Sequence, residues 1–374
     1  MWSAFACVLV CALILQSAAA KTPSIVVWTP FFEAERLHTF LVSRLQSEKC
    51  PVQCNIVPRS RMTTEEDFDA FIFHSRDADV KDVPRTRTND QLYFIISIEA
   101  PGNREESKLD KFPPNFFNGT IGYSHLNNYT WDYDWPVEGK LNLTADFIHS
   151  KTDGVFGVIS NCHSESGREA AVDGMRRAGI KMTLRGKCYD GKISDDEIGR
   201  QIKSHRFILA LENKMCADYV TEKAYRYKEL IVPIVFSRSL AEGVLPPDAF
   251  IALDDFNSTA ELRERLERLQ RDDEEYMKYF AWVNRPEYLG IRKPKGLCKL
   301  CTDLHASLRL HHSSLVRAAF PDENLCIVVP PRWGSSFDLT VLAIIALVAT
   351  GGGRLVFLLY RHSLYPYRGY ELVR

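Results

Sequence analysis

The chain has 374 residues, room for two domains of ordinary size. With 45% apolar and 25% charged residues it has the make-up of a globular protein, which excludes an extended disordered chain. A formal net charge of −1 gives no electrostatic reason to bind nucleic acid or another acidic polymer.

Residues 1–20 are apolar and end in Ala18-Ala19-Ala20 before Lys21, the small-residue pattern of a cleaved signal peptide. No basic residue precedes the apolar run, so a retained N-terminal anchor stays open as the alternative. Either reading sends the chain into the secretory pathway, where disulfides persist. Of ten cysteines, Cys7 and Cys11 fall in this segment, and an even number remains.

The first domain is expected over 21–150. SIVVW (24–28) reads as a buried strand, AERLHTFLVSRLQ (34–46) as an amphipathic helix, and AFIFH (70–74) and LYFIISI (92–98) as further strands. From Pro101 to Lys140 the chain is rich in Asn, Gly, Pro and aromatics, which predicts loops over a site. Sequons at Asn118, Asn128, Asn142 and, further on, Asn257 are candidates for glycosylation.

A second alternating set predicts strands at 155–159, 180–184, 206–211, 231–236 and 249–253, giving a second domain over 151–301. Strand–helix alternation implies parallel sheets, so the expected architecture is α/β: two Rossmann-like, doubly wound domains facing a cleft. Residues 302–336 read as a linker. Residues 337–360 read as a transmembrane helix, and 361–374 as a cytosolic tail whose Arg361 and Arg368 keep it on the cytosolic side. The chain is therefore expected to be a type I membrane protein with one C-terminal span.

Ligands of parallel sheets gather at the carboxyl ends of strands. Two such ends stand out. In SNCHSESGREAAVDGM, Ser166 with Glu169 has the form of a capping box, and Arg168 falls in the first helical turn. A cation there opposes the helix dipole unless an anion joins it. In LENKMCADYVTEK, Asp218 or Thr221 is positioned to cap a helix that carries Glu222 and Lys223. Two positive helix starts on one cleft suit a diphosphate, and a carboxylate beside them suits sugar hydroxyls. A nucleotide sugar combines both. The plainer alternative is a solvated arginine and a salt-bridged helix start. Asp77-Ala-Asp79 and Asp132-Tyr-Asp134 have the DxD form of metal-dependent glycosyltransferases, but two acids one residue apart recur by chance, and no metal site is assigned.

ALENKMCADYVTEKAYRYKELIVPIVF, then LPPDAFIALDDFNS and DDEEYMKYFAW, resembles the donor-binding core of the α1,3-fucosyltransferases. The likeness extends upstream through Ser160-Asn161-Cys162, Arg168 and Gly186-Lys187-Cys188 to SIEAPGN and FNGTIGY, in all roughly 92–282. The resemblance implies the two-domain GT-B fold with GDP-fucose, the donor substrate, held by the C-terminal domain and no further cofactor required. Carried over by position, it implies that Arg168 and Lys223 neutralise the diphosphate and that Glu222 binds ribose hydroxyls. It also implies that Asn213 and Tyr219 line the donor pocket and that Glu99 is the general base. The family ties a C-terminal CxxC to an N-terminal cysteine pair, which implies Cys298 and Cys301 with Cys50 and Cys54. Cys162 and Cys188 are a further candidate pair, which leaves Cys216 with Cys326.

Three departures bear on function. Lys214 stands where the family has Ser; Ser124–Asn128 replaces an Arg and an acidic run expected near the acceptor; and the anchor is C-terminal, with almost no stem. The implied activity is transfer of fucose from GDP-fucose to a GlcNAc hydroxyl of glycoprotein glycans, in the Golgi membrane (or the ER) with a lumenal catalytic part. A catalytically silent relative that binds glycans or partners stays open, as does protein O-fucosylation.

Overall fold

Along Ile25, Val26, Val27 and Trp28, neighbouring side chains enter two different apolar clusters, as the twofold period of a strand buried on both faces requires. Ile25 and Val27 pack with Leu37, Leu41, Ile72 and Phe94. Val26 and Trp28 pack with Phe71, Phe73 and Tyr93. The structure, a computed structural model, describes residues 21–32, 34–48, 50–100, 109–131, 133–137, 141, 143–290, 296–306 and 326–327. The signal peptide, the span at 337–360, the tail, most of the linker at 302–336 and the sequon at Asn142 lie outside the described residues. Among the described residues no helix is long and apolar enough to cross a membrane.

The first sheet comprises β1 (Ser24–Val27), β2 (Asn55–Pro58), β3 (Ala70–His74), β4 (Leu92–Ser97), β5 (Gly119–Gly122) and β6 (Tyr129–Thr130). All its pairings are parallel, in the order β2-β1-β3-β4-β5-β6. The second half adds β7 (Asp153–Val158), β8 (Met182–Arg185), β9 (His205–Leu209), β10 (Met215–Cys216), β11 (Val232–Val235) and β12 (Ile251–Ala252). Its main sheet is also parallel, in the order β12-β11-β9-β7-β8. β10 stands apart and pairs antiparallel with β13 (Cys326–Ile327).

Three strands of the first sheet depart from expectation, as do β10, outside the predicted strands, and β13, within the stretch read as linker. β2 is too short to show a period, and β5 and β6 lie inside the stretch read as loops. β5 is Gly-Thr-Ile-Gly, with two glycines demanded by close approach: a Cβ on Gly122 would come within 2.7 Å of the Ser97 carbonyl, and one on Gly119 within 3.0 Å of the Phe94 ring. Packing space, which periodicity does not record, decides these residues.

The helix Gly296–His305, which straddles the stretches read as second domain and linker, packs on the first sheet, in line with the implied pairing of its cysteines with Cys50 and Cys54. Leu297, Leu300 and Cys301 join the cluster of Ile25, Leu37 and Leu41. Cys50–Cys298 and Cys54–Cys301 disulfides hold it to the residues that follow the helix Leu37–Glu48. The halves are joined elsewhere by a fully buried ion pair, Asp134 Oδ1 to Lys228 Nζ at 2.6 Å. That lysine also donates to the carbonyls of Trp135 and Gly290, so its charge is well satisfied.

Candidate active site

β4, β7 and β9 end on a common cavity of about 360 Å³. The first half supplies Glu99, just past β4. The second supplies Ser160 and Asn161 past β7, Arg168 at a helix start, Asn213 past β9, and Tyr219, Glu222 and Lys223 from the following turn. All six residues to which the resemblance gives catalytic or donor-binding roles line this cavity.

Arg168 is 3% exposed, the first residue of the helix Arg168–Arg177. The expected capping box does not form. Gly167 takes the N-cap position at φ 74°, and the Ser166 hydroxyl donates instead to the Glu212 carbonyl at 2.6 Å. Ser164 takes over the reciprocal role: its hydroxyl donates to Glu169 Oε2 at 2.6 Å and accepts from the Arg168 N–H at 3.3 Å. The guanidinium bridges two strand-end loops, donating to the carbonyls of Leu211 (3.2 Å) and Asn161 (2.6 Å).

The second helix start also differs from expectation. Glu222–Tyr225 is a single turn that continues as a 3-10 turn, Arg226–Glu229. A dipole this short contributes little, so the cation here is Lys223 itself. Neither Asp218 nor Thr221 caps it with a side chain. The Thr221 hydroxyl donates to Glu212 Oε1 at 2.7 Å. Asp218, at φ 64°, turns toward the first half and accepts from Ser124 Oγ at 3.0 Å and the His125 N–H at 3.1 Å. The divergent Ser124–Asn128 segment is thus clasped to the loop that precedes Glu222 and Lys223.

Glu212 was missed by sequence reading, which dwelt on the residues after it. Its carboxylate is nearly buried, accepts from Thr221 N and Oγ1, and pairs with Lys223 Nζ at 2.9 Å. Burial works against the Lys223 ammonium, but Glu212 and Glu222 more than offset this and raise its pKa above the ordinary lysine value. Lys223 is therefore a fixed cation. Tyr133 also went unassigned; it lines the cavity and donates to the Ile98 carbonyl next to Glu99.

Tyr219 does more than line the pocket: its hydroxyl donates to Glu99 Oε2 at 3.0 Å. Burial, and next the Glu99 charge, push this phenol well above its ordinary pKa, so it donates and stays neutral. Lys214, the departure from the family pattern, pairs with Glu165 at 3.0 Å.

Of the DxD-form acids, Asp132 lies outside the described residues. Asp77 accepts from the Phe32 N–H and holds His74 Nδ1, and Asp134 is spent on Lys228. Asp77, Asp79 and Asp134 do not line the cavity. Among the sequons, Asn118 is 5% exposed, with Oδ1 accepting from the Tyr93 N–H and Arg87. Asn128 accepts from the Thr120 N–H and is partly buried, whereas Asn257 is exposed. The eight cysteines outside the N-terminal segment pair as Cys50–Cys298, Cys54–Cys301, Cys162–Cys188 and Cys216–Cys326.

Comparison with known proteins gives the family and the fold. The family model for glycosyltransferase family 10 (fucosyltransferase), C-terminal part, matches residues 148–317, and the fucosyltransferase N-terminal model matches 20–134. The 4-galactosyl-N-acetylglucosaminide 3-alpha-L-fucosyltransferase FUT5 of Homo sapiens is 30% identical over 325 residues, 82% of each chain. Alpha-(1,3)-fucosyltransferase fut-5 of Caenorhabditis elegans is 28% identical over 306 residues, 76% of this chain and 78% of that one. A crystal structure of an α1,3-fucosyltransferase with GDP-fucose has the same fold, with a TM-score of 0.51 at 15% identity over 80% of this chain and 96% of that one.

Proposed function

The chain belongs to glycosyltransferase family 10, the fucosyltransferases, and from that premise we propose that it moves fucose from GDP-fucose to a GlcNAc hydroxyl of a glycoprotein glycan, in α1,3 linkage. The supporting observation is that Glu99, from one half, shares a cavity with Arg168, Asn213, Tyr219, Glu222 and Lys223, from the other. In this reading Arg168 and Lys223 neutralise the diphosphate, Glu222 takes ribose hydroxyls, and Asn213 and Tyr219 flank the donor.

Glu99 accepts the proton of the attacking hydroxyl as its oxygen bonds to the anomeric carbon. The bond from that carbon to the diphosphate breaks, and GDP leaves with the electron pair. The two cations, already in place, stabilise the charge that develops there. One in-line displacement inverts the anomeric centre. In this reading the cations are side chains, and no step is assigned to a metal.

The four disulfides support an oxidising lumen. The apolar run at 337–360 supports a C-terminal membrane anchor, with the Golgi as the proposed site. The test is to incubate the protein with GDP-fucose and, in parallel, an N-acetyllactosamine glycan, an N-glycan core and a folded protein domain. Transfer to one of the first two supports the proposal. Transfer only to the protein domain makes the enzyme a protein O-fucosyltransferase. GDP binding without any transfer makes it a silent relative.

A further inference from the structure

Tyr219 and Glu99 lie 120 residues apart and come from opposite halves of the molecule, yet they are joined by a 3.0 Å hydrogen bond. Both ends of this contact are braced. The Tyr219 ring meets Tyr123 edge-on, with centroids 4.9 Å apart at 61°. Its backbone N–H donates to the Cys216 carbonyl at 3.1 Å. Cys216 is bonded to Cys326, and both pack in one cluster with Ala100, Tyr123 and Tyr219. On the other side, Tyr133 donates to the carbonyl of Ile98, the residue before Glu99. A buried, 4% exposed tyrosine held this firmly delivers its hydroxyl to one carboxylate oxygen in a fixed direction.

We propose that Tyr219 is a positioning residue for Glu99: from the loop that carries Glu222 and Lys223, it orients the carboxylate toward the incoming hydroxyl. The base is then set by the donor-binding half, so that donor capture and acceptor activation share one loop. This role differs from lining the nucleotide pocket, and it rests on the reading of Glu99 as the base.

The test uses the full chain as wild type, Tyr219→Phe, Glu99→Gln and the double variant. Turnover is measured as fucosyl transfer, or as GDP-fucose hydrolysis if no acceptor is used, and GDP affinity by calorimetry. Tyr219→Phe is expected to lower kcat about 10- to 100-fold while GDP affinity stays within about twofold, the split expected when transition-state and not ground-state interactions are lost. In the Glu99→Gln background the same change is expected to cost nothing further, because two residues that act as one unit do not add. A fall in GDP affinity that matches the loss in kcat/KM overturns the positioning role, as does full additivity or an unchanged kcat. Wild-type turnover by Glu99→Gln, or no turnover by any form, overturns the base reading itself.

Discussion

Lys223 Nζ lies 2.9 Å from Glu212 Oε2. The ammonium that faces the cavity therefore has a carboxylate behind it, which also accepts from Thr221 N and Oγ1. Glu212→Gln puts an amide where the pair now stands and leaves the lysine short of its partner. The expected cost is about 1–3 kcal/mol, read in a thermal melt as a Tm lower by several degrees. An unchanged Tm would show that the pair adds nothing to stability.

Arg168 is expected to govern nucleotide affinity. Arg168→Ala removes a charge-assisted donor, worth about 1.5–3 kcal/mol, so GDP binding should weaken by about 10- to 100-fold. Arg168→Lys should not restore it, because one ammonium cannot reach the carbonyls of Leu211 and Asn161 while also meeting an anion. Calorimetric titration with GDP checks both variants, and full affinity in Arg168→Lys would contradict the bridging role.

The clasp at Asp218 predicts a pH dependence. Burial alone would raise the pKa of this carboxyl, but the His125 N–H, the His125 ring and the Ser124 hydroxyl more than compensate and hold it below the ordinary 3.8. A depressed folded-state pKa gives stability that is fully present above the unfolded value and is lost as pH falls through the folded one. Urea unfolding of wild type and Asp218→Asn should therefore show a gap at about pH 5 that closes as pH drops below 3.8. A gap independent of pH would exclude the carboxylate as its source.

The Cys216–Cys326 bond closes a loop spanning 110 positions. Replacing both cysteines with serine should cost about 2–4 kcal/mol and lower kcat more than GDP affinity, since the bond packs in one cluster with Tyr219 and Ala100. A double variant with full turnover would separate the staple from the site.

What the sequence disclosed follows the range of the interactions involved. Arg168, Asn213, Glu222 and Lys223 were legible because strand ends and helix starts are local features, and the resemblance supplied Glu99. The cap at Ser166 was misread because Gly167, at φ 74°, takes the N-cap position and frees the serine to bond Glu212. Only the resemblance pointed to the return of Gly296–His305 to the first sheet, which has no local signal because it is held through cysteines 247 and 248 positions away. The Tyr219–Glu99 bond was hidden for the same reason. β5 was lost because its glycines answer to the crowding of Ser97 and Phe94 and to no period.

In the proposed mechanism Glu99 is the base opposite a pair of fixed cations. The most direct test is single-turnover transfer from GDP-fucose to an N-acetyllactosamine acceptor by wild type and Glu99→Gln, with GDP affinity measured on both. Equal affinity is expected, with a rate lower by about 10²- to 10⁴-fold in the variant. Equal rates in the two proteins would rule out Glu99 as the base.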